Sequence, residues 1–399
     1  MRKWGEVGCR PSHFLISPFP RFLSPMLPHR FAIVGAGWRT DFFLRIAEAM
    51  PERFEIIGLV VRSPEKAAVI EERWGRLTFR TVDELLAAGR PEFLVSSVSY
   101  AANFEVNLAL LETGLPVFAE TPPAATLDQM LRLWEAIRER GARFQVAEQF
   151  HRQPHHAARI AAVRSGRIGD VHKAYVSVSH GYHGTSLIRH YLDLGFEEAR
   201  IVGMGWTDRL LDPGARDGPP ADPQVIDTPH EIALLDFGGG KQAVFDFVRS
   251  QYFSPIRTQR VALRGECGEI VDHTLHAQSP EGEPYSLPFE RRVAGANGNL
   301  QGFYLKGIQL GEEWVYRNPT APARLSDEEI AMADMLHGMA HYAEGGPEVY
   351  AAAQAMQDHY LALCIKQACE TGEPVTAVRQ PWAAELAEVQ PPNLLGAQV

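Results

Sequence analysis

The chain has 399 residues, enough for two domains with cores of their own, and its apolar content of 45% with 22% charged residues excludes wholesale disorder. A formal net charge of −10 argues against binding to nucleic-acid phosphates, and no apolar run reaches the length of a membrane span. The four cysteines (Cys9, Cys267, Cys364, Cys369) form no CxxC pair, so a reduced, cytoplasmic protein is expected rather than a disulfide scaffold.

Residues 1–29 differ from the rest of the chain: prolines interrupt every apolar run, which leaves neither a helix nor a signal-peptide core. They read as an arm or as sequence upstream of a true start at Met26, and the second reading is preferred. From Arg30 the pattern sharpens. "RFAIVGAG" is a strand ending in glycines, "FFLRIAEAM" a helix, "FEIIGLVV" a strand and "SPEKAAVIEERWG" a helix closed by Gly75. "PEFLVSSVS", "FEVNLALLETG" and "PVFAE" continue the alternation, which predicts right-handed βαβ crossovers and a parallel sheet. Thr126 and Gln129 open the next helix as a capping box, Gly141 stops it, and "FQVAE" is one more strand.

After about residue 150 longer strands with hairpin-like connections appear ("HKAYVSVSH", "EIALLDFGG", "KQAVFDFVRSQ", "QRVALRGECGEIVDHTL", "EGEPYSLPF"), which predicts an antiparallel sheet. Two helices come next, the first capped by Ser326 with Glu329 and the second ended by Gly372. The fold class expected is α/β: a doubly wound parallel sheet followed by an α/β domain on a large, mostly antiparallel open sheet.

"GAGWRT" places Gly35 and Gly37 at the first two positions of a G-x-G-x-x-G turn between a strand and a helix, with Thr40 at the third. Such a turn brings a dinucleotide's pyrophosphate to the helix N-terminus, so Gly35, Gly37, Trp38 and Arg39 are candidate cofactor contacts. The second strand ends in Val61, Arg62 and Ser63. No acid stands there to hold the ribose 2′-hydroxyl, and Arg62 with Ser63 suits a 2′-phosphate, so NADP is slightly preferred over NAD.

"RFAIVGAG", "SPEKA", "LALLETGLPVFAETPPA", "FHRQP" and "VRSGRIGDV" resemble, in order and over residues 30–175, the Gfo/Idh/MocA oxidoreductases. The resemblance implies a Rossmann domain over 30–149, a substrate-binding and oligomerisation domain over 150–380, a tail over 381–399, bound NAD(P), and hydride transfer to or from a small sugar-like or carbonyl compound. It also implies homodimers or homotetramers through the C-terminal sheet. "AETPP" stands where the family has Glu-Lys-Pro, so Glu120 matches and Thr121 replaces the lysine. A threonine hydroxyl donates a hydrogen bond but does no acid–base work near neutrality. A cofactor-binding protein that has lost catalysis, or a redox-neutral enzyme with tightly held NAD, is therefore the alternative function. The family's histidine in a Gly-x-His-x-x-Asp segment falls within "SHGYHGTSLIRHYLDLG". His190 with Asp193 keeps the His-x-x-Asp spacing, while counting back from Gly195 reaches His183, read as lying in a loop with His180 and Tyr182. Glu148 is expected on the same sheet edge as Glu120, and His180, Tyr182 and Glu148 are candidate substrate contacts. Ser99, Tyr100 and Asn103 are candidate cofactor contacts. His337 and His341 have the i, i+4 spacing of metal ligands but no evident third ligand, so no metal is expected, and "HRQPHH" reads as a polar loop.

Overall fold

The computed structural model describes residues 27–384 apart from Asp217 and Pro280, so most of the expected N-terminal arm and residues 385–399 lie outside it. In chain order the first sheet and its helices are β1 (His29–Val34), α1 (Thr40–Ala49), β2 (Phe54–Val60), α2 (Pro64–Trp74), β3 (Thr78–Phe79), α3 (Val82–Ala88), β4 (Phe93–Ser96), α4 (Asn103–Leu111), β5 (Val117–Ala119), α5 (Leu127–Arg140) and β6 (Phe144–Val146). All six strands run parallel in the order β3-β2-β1-β4-β5-β6, the doubly wound arrangement whose strand order reverses between β1 and β4. Helices cover both faces, which is why Phe31–Val34 and Phe93–Ser96 are buried without alternation. β1 already begins at His29, a residue assigned to the arm from sequence.

The second half runs α6 (Pro154–Arg164), β7 (Val171–Ser177), α7 (Gly181–Leu192), β8 (Ala199–Leu211), β9 (Val225–Asp236), β10 (Gln242–Val248), β11 (Arg260–Gly265), β12 (Gly268–Val271), β13 (Thr274–Gln278), β14 (Pro284–Ala294), β15 (Tyr304–Leu310), β16 (Glu313–Arg317), α8 (Asp327–Ala343), α9 (Ala352–Thr371) and β17 (Val375–Ala377). These strands form one eleven-stranded sheet, antiparallel except where β10 runs parallel to β7. The 13-residue strand β8 is absent from the sequence expectation because two glycines interrupt its apolar pattern. The structure gives the reason for one of them: a Cβ on Gly203 would lie 2.7 Å from Cys369 Sγ on α9, so only glycine lets the helix settle on the sheet. The opposite face of β8 and β9 exposes Met204, Trp206 and Leu234.

The expected tail also needs correction at its start. Trp382 is fully buried and its indole N–H donates to Gln357 Oε1 at 2.9 Å, so Trp382 and Ala383 belong to the core. α8 joins the two halves: its cap forms as expected, Ser326 Oγ accepting from Glu329 N while the Glu329 carboxylate accepts from Ser326 N, and that glutamate also takes the Arg45 guanidinium of α1. Arg152 pairs with Asp334 on the same helix at 2.6 Å, and Gln145 of β6 accepts from the amides of Val349 and Tyr350 at 2.8 Å each. Among the described residues no helix is long and apolar enough to cross a membrane.

Candidate active site

The turn after β1 leaves no room for a Cβ at its first glycine. Gly35 has φ of +117°, and a Cβ there would meet the Ser97 carbonyl oxygen at 2.0 Å, while one on Gly37 would stand 3.2 Å from the same atom. No side chain caps α1; the amides of Thr40 and Phe42 donate to the carbonyls of Gly37 and Arg39 at 3.0 Å each, which leaves that of Asp41 for an anion. Thr40 Oγ1 donates to Ser97 Oγ at 2.9 Å, so the third position of the motif ties the helix to β4's end by a hydrogen bond instead of packing as glycine would. Beside this turn lies a pocket of about 350 Å3 lined by Gly37, Trp38, Glu65, Lys66 and Val69 among others. Gly35→Ala is expected to cost at least about 2 kcal/mol in denaturant unfolding and to abolish dinucleotide binding, since both conformation and contact are forbidden to a Cβ. A cost below about 0.5 kcal/mol would mean the turn tolerates what its geometry excludes.

A continuous chain of contacts leads from this turn into the junction of the two halves. Arg39, buried, donates from Nη1 to the Glu328 carboxylate on α8, and its Nε lies 3.6 Å from Glu120 Oε2 at the end of β5. Burial pushes the Glu120 carboxyl up to about 7, with Arg39 pulling the other way. Thr121 comes next, with a cis bond to Pro122, and its carbonyl oxygen sits 3.5 Å from the Tyr182 hydroxyl. The Tyr182 ring lies 4.4 Å from the His183 ring, and His183 Nδ1 is 2.6 Å from Glu148 Oε2. Both members of this last pair are almost wholly buried; burial raises the Glu148 carboxyl to about 8 and lowers His183 to about 3. The pair is thus electrically neutral overall near pH 7, with the amide of Phe150 donating to the other Glu148 oxygen at 3.1 Å. His183 Nε2 makes no hydrogen bond within the described residues, and Phe150 supports the ring at 4.3 Å.

Three further buried polar atoms have no partner here: Arg39 Nε, Glu120 Oε1 and Gln149 Oε1. They gather around Glu328, which accepts from Gln149 Nε2 at 2.9 Å. Unpaired buried groups of this kind are costly unless a ligand or water meets them.

The structure places the expected residues unevenly. Glu120, Thr121, Tyr182, His183 and Glu148 come together, and His180 joins them through the Tyr252 hydroxyl, which bonds its Nδ1 and accepts from its backbone N–H at 2.9 Å. His183 does not lie in a loop: α7 begins at Gly181, so it occupies the helix's first turn and His180 the cap. His190 and Asp193 do not pair. His190 stacks on His151 at 4.3 Å, about two helical turns beyond His183, and Asp193 is the exposed left-handed residue that ends α7. The Asn103 amide donates to the carbonyls of Glu120 (2.9 Å) and Pro122 (2.6 Å), holding the turn that contains Thr121. Arg39 points to Glu120 and Glu328 rather than outward, Ser99 and Tyr100 are exposed, and the Tyr100 hydroxyl donates to the Ala125 carbonyl at 3.1 Å. Ser63 caps α2 through Lys66 N and donates to Glu65 Oε2 at 2.6 Å, while Arg62 is exposed. Trp38 is covered on one side by Arg216 from the loop after β8, 3.7 Å from its ring. "HRQPHH" is not a polar loop but the end of a 3-10 turn (Phe150–Arg152) leading through Gln153 into the first residues of α6, with His156 buried and 2.7 Å from the Tyr191 hydroxyl. Sequence reasoning missed Glu328, Tyr252 and Arg216: each reaches the site from far along the chain, and no local spacing announces them.

Known proteins share the fold. Residues 29–148 match the model of the oxidoreductase family with an NAD-binding Rossmann fold, GFO_IDH_MocA. No curated protein matches the chain. Among solved structures, levoglucosan dehydrogenase in complex with NADH and L-sorbose is similar at a TM-score of 0.63 and 15% identity, over 89% of this chain and 100% of that one. An oxidoreductase from Agrobacterium radiobacter in complex with NAD+, L-tartaric acid and magnesium gives 0.62 and 14%, over 87% and 97%. The WlbA dehydrogenase from Bordetella pertussis in complex with NADH and UDP-GlcNAcA gives 0.58 and 15%, over 88% and 100%. At these identities the likeness establishes the shared fold of both halves.

Proposed function

The chain carries the NAD-binding Rossmann domain of the GFO_IDH_MocA oxidoreductase family, and on that premise we propose that it moves hydride to or from a small polyhydroxylated or carbonyl compound bound between β5 and α7. The observation that carries this reading is the Glu148–His183 pair, an acid–base group packed against Tyr182, whose hydroxyl reaches the carbonyl of Thr121, the residue that the resemblance aligns with the family's lysine. The glycine turn, the uncapped start of α1 and the pocket beside Trp38 suit a dinucleotide, which when bound supplies the hydride donor or acceptor.

In the oxidative direction the pair acts once it has lost its proton: ionised Glu148 accepts from His183 Nδ1–H, so Nε2 is free to take the proton of the substrate hydroxyl and the carboxylate stabilises the imidazolium. In reduction the same nitrogen returns the proton to the carbonyl oxygen. Thr121 keeps a polar, uncharged position, and Tyr182, whose hydroxyl burial holds in its neutral form, acts as a hydrogen-bond donor. The unpartnered atoms of Arg39, Glu120 and Gln149 support a ligand with several hydroxyl groups, each able to satisfy one of them.

For the cofactor we prefer NAD. Sequence points slightly to NADP because no acid ends β2, yet Glu65 lines the pocket and is held by the Ser63 hydroxyl, and a carboxylate there opposes a 2′-phosphate. The exposed Met204, Trp206 and Leu234 on the open sheet face support a homodimer or homotetramer through β8 and β9.

Thermal-shift titration with NAD+, NADH, NADP+ and NADPH tests the cofactor half. Ligand at a hundredfold Kd is expected to add about 2.7 kcal/mol for the NAD forms. A polyol and sugar panel, followed by reduced-nicotinamide absorbance, tests the reaction. No shift with any nucleotide, and none co-purified, would overturn the reading; binding without turnover across the panel would favour a sensor that has lost catalysis.

A further inference from the structure

His337 and His341 project from one face of α8, one turn apart, and their Nε2 atoms are 3.1 Å from each other. Sequence offers no third ligand near them. The fold does: His29, at the first position of β1, brings its ring to 5.4 Å from that of His337 and 5.8 Å from that of His341, and one nitrogen from each of the three lies within 4.8 Å of the others.

We infer that His29, His337 and His341 form a binding site for a divalent transition-metal ion of the zinc class, pinning the first strand of the Rossmann sheet to α8. Two observations beyond proximity point there. First, the spacing fits: Zn–N bonds of about 2.0–2.1 Å make the edge of a tetrahedron about 3.3 Å, close to the distance already set between His337 and His341. Second, carboxylates stand behind two of the rings. His29 Nδ1 is 3.5 Å from Glu92 Oε2, and His341 Nδ1 is 4.0 Å from Glu344 Oε2. A carboxylate on Nδ1 fixes the tautomer that leaves Nε2 as the ligand, the usual support of a metal-bound imidazole. The remaining Nδ1 of the trio, on His337, is buried with no hydrogen-bond partner.

The donor set chooses the ion. Three imidazoles without a carboxylate or thiolate among them favour Zn2+, Cu2+, Ni2+ or Co2+ over Mg2+ or Ca2+, and leave a fourth position for water. The site is separate from the candidate active site, since His337 lies nine residues along α8 from Glu328, about 13 Å of helix. Its role is structural: a metal that ties β1 to α8 binds the folded junction and not the unfolded chain.

The test uses the full chain, stripped with EDTA and titrated with Zn2+ against a chromophoric chelator, with metal content measured after gel filtration. One Zn2+ per chain is expected, with a higher melting temperature in zinc than in EDTA. His29→Ala is the deciding variant, because an i, i+4 histidine pair alone holds zinc weakly; it should weaken binding at least about tenfold and abolish the zinc-dependent melting shift. Its melting curve in EDTA should match the wild type in EDTA, which separates loss of a ligand from loss of fold. Cobalt loading should give the intense absorption of a tetrahedral site, lost in the variant. No zinc retained by the wild type, zinc affinity unchanged by His29→Ala, or binding that survives the combined H29A/H337A/H341A variant would each overturn the proposal.

Discussion

Replacing His183 with alanine is expected to lower kcat by about 10²–10⁴-fold while leaving dinucleotide affinity within a factor of about three. The side chain touches Glu148, Phe150 and Tyr182, and the glycine turn and its pocket lie elsewhere, so the loss falls on proton transfer. Added imidazole should restore part of the rate in H183A, an effect that a merely structural histidine would not give. The pair also sets the pH dependence. With the Glu148 carboxyl raised to about 8, the pair surrenders a proton as the pH passes that value, so reduction, which must deliver a proton, declines there. The stability sign is the same. A carboxyl whose folded value lies above its unfolded value of 4.5 stabilises the fold fully below about pH 4.5, and that contribution is lost as the pH rises through about 8. Glu148→Gln should therefore flatten the melting temperature between pH 5 and 9 and make the protein relatively more stable at the alkaline end, at the expense of activity. A rate for H183A within tenfold of wild type would remove the histidine from the mechanism.

Arg39→Met is expected to destabilise the protein by about 3–5 kcal/mol, the range for breaking a buried ion pair by removing one partner. Arg39 is 5% exposed, bonded to Glu328 and close to Glu120, and the substitution leaves both carboxylates facing each other without a cation. Glu120, already raised to about 7, would rise further, so the destabilisation should grow above pH 7 and shrink below it as that carboxyl takes up a proton. Because Arg39 belongs to the glycine turn's exit and Glu328 begins α8, the loss should also loosen the two halves, seen as faster amide exchange at both segments. The double variant R39M/E328Q should recover part of the lost stability, since it removes one orphaned charge; urea unfolding of all four proteins gives the coupling. A cost for R39M below about 1 kcal/mol would mean water replaces the arginine without penalty.

Local pattern carried much of this molecule. Buried strands without alternation, a glycine turn between β1 and α1, and helix signals such as Ser326 with Glu329 all act over a few residues, so the parallel sheet, the dinucleotide turn and the caps could be read directly. β8 escaped because its glycines serve a helix 160 and more residues away, and a strand's tolerance for glycine is visible only beside what approaches it.

The sequence by itself also determined which chemistry was available: a carboxylate at position 120, no lysine after it, and several histidines in the next domain. Only the tertiary structure decided among them. His190 keeps the His-x-x-Asp spacing and His183 is reached by counting back from Gly195; what separates them is that α7 starts at Gly181, turning His183 toward Glu148 and carrying His190 away to stack on His151. The same holds for Arg39, a candidate cofactor contact by sequence that the fold pairs with Glu328 across 289 positions of chain, and for His29, which gains meaning only where β1 meets α8. Propensity, caps and turns depend on neighbours in sequence; charge pairing, desolvation and metal geometry depend on neighbours in space, and those are fixed only when the two sheets dock.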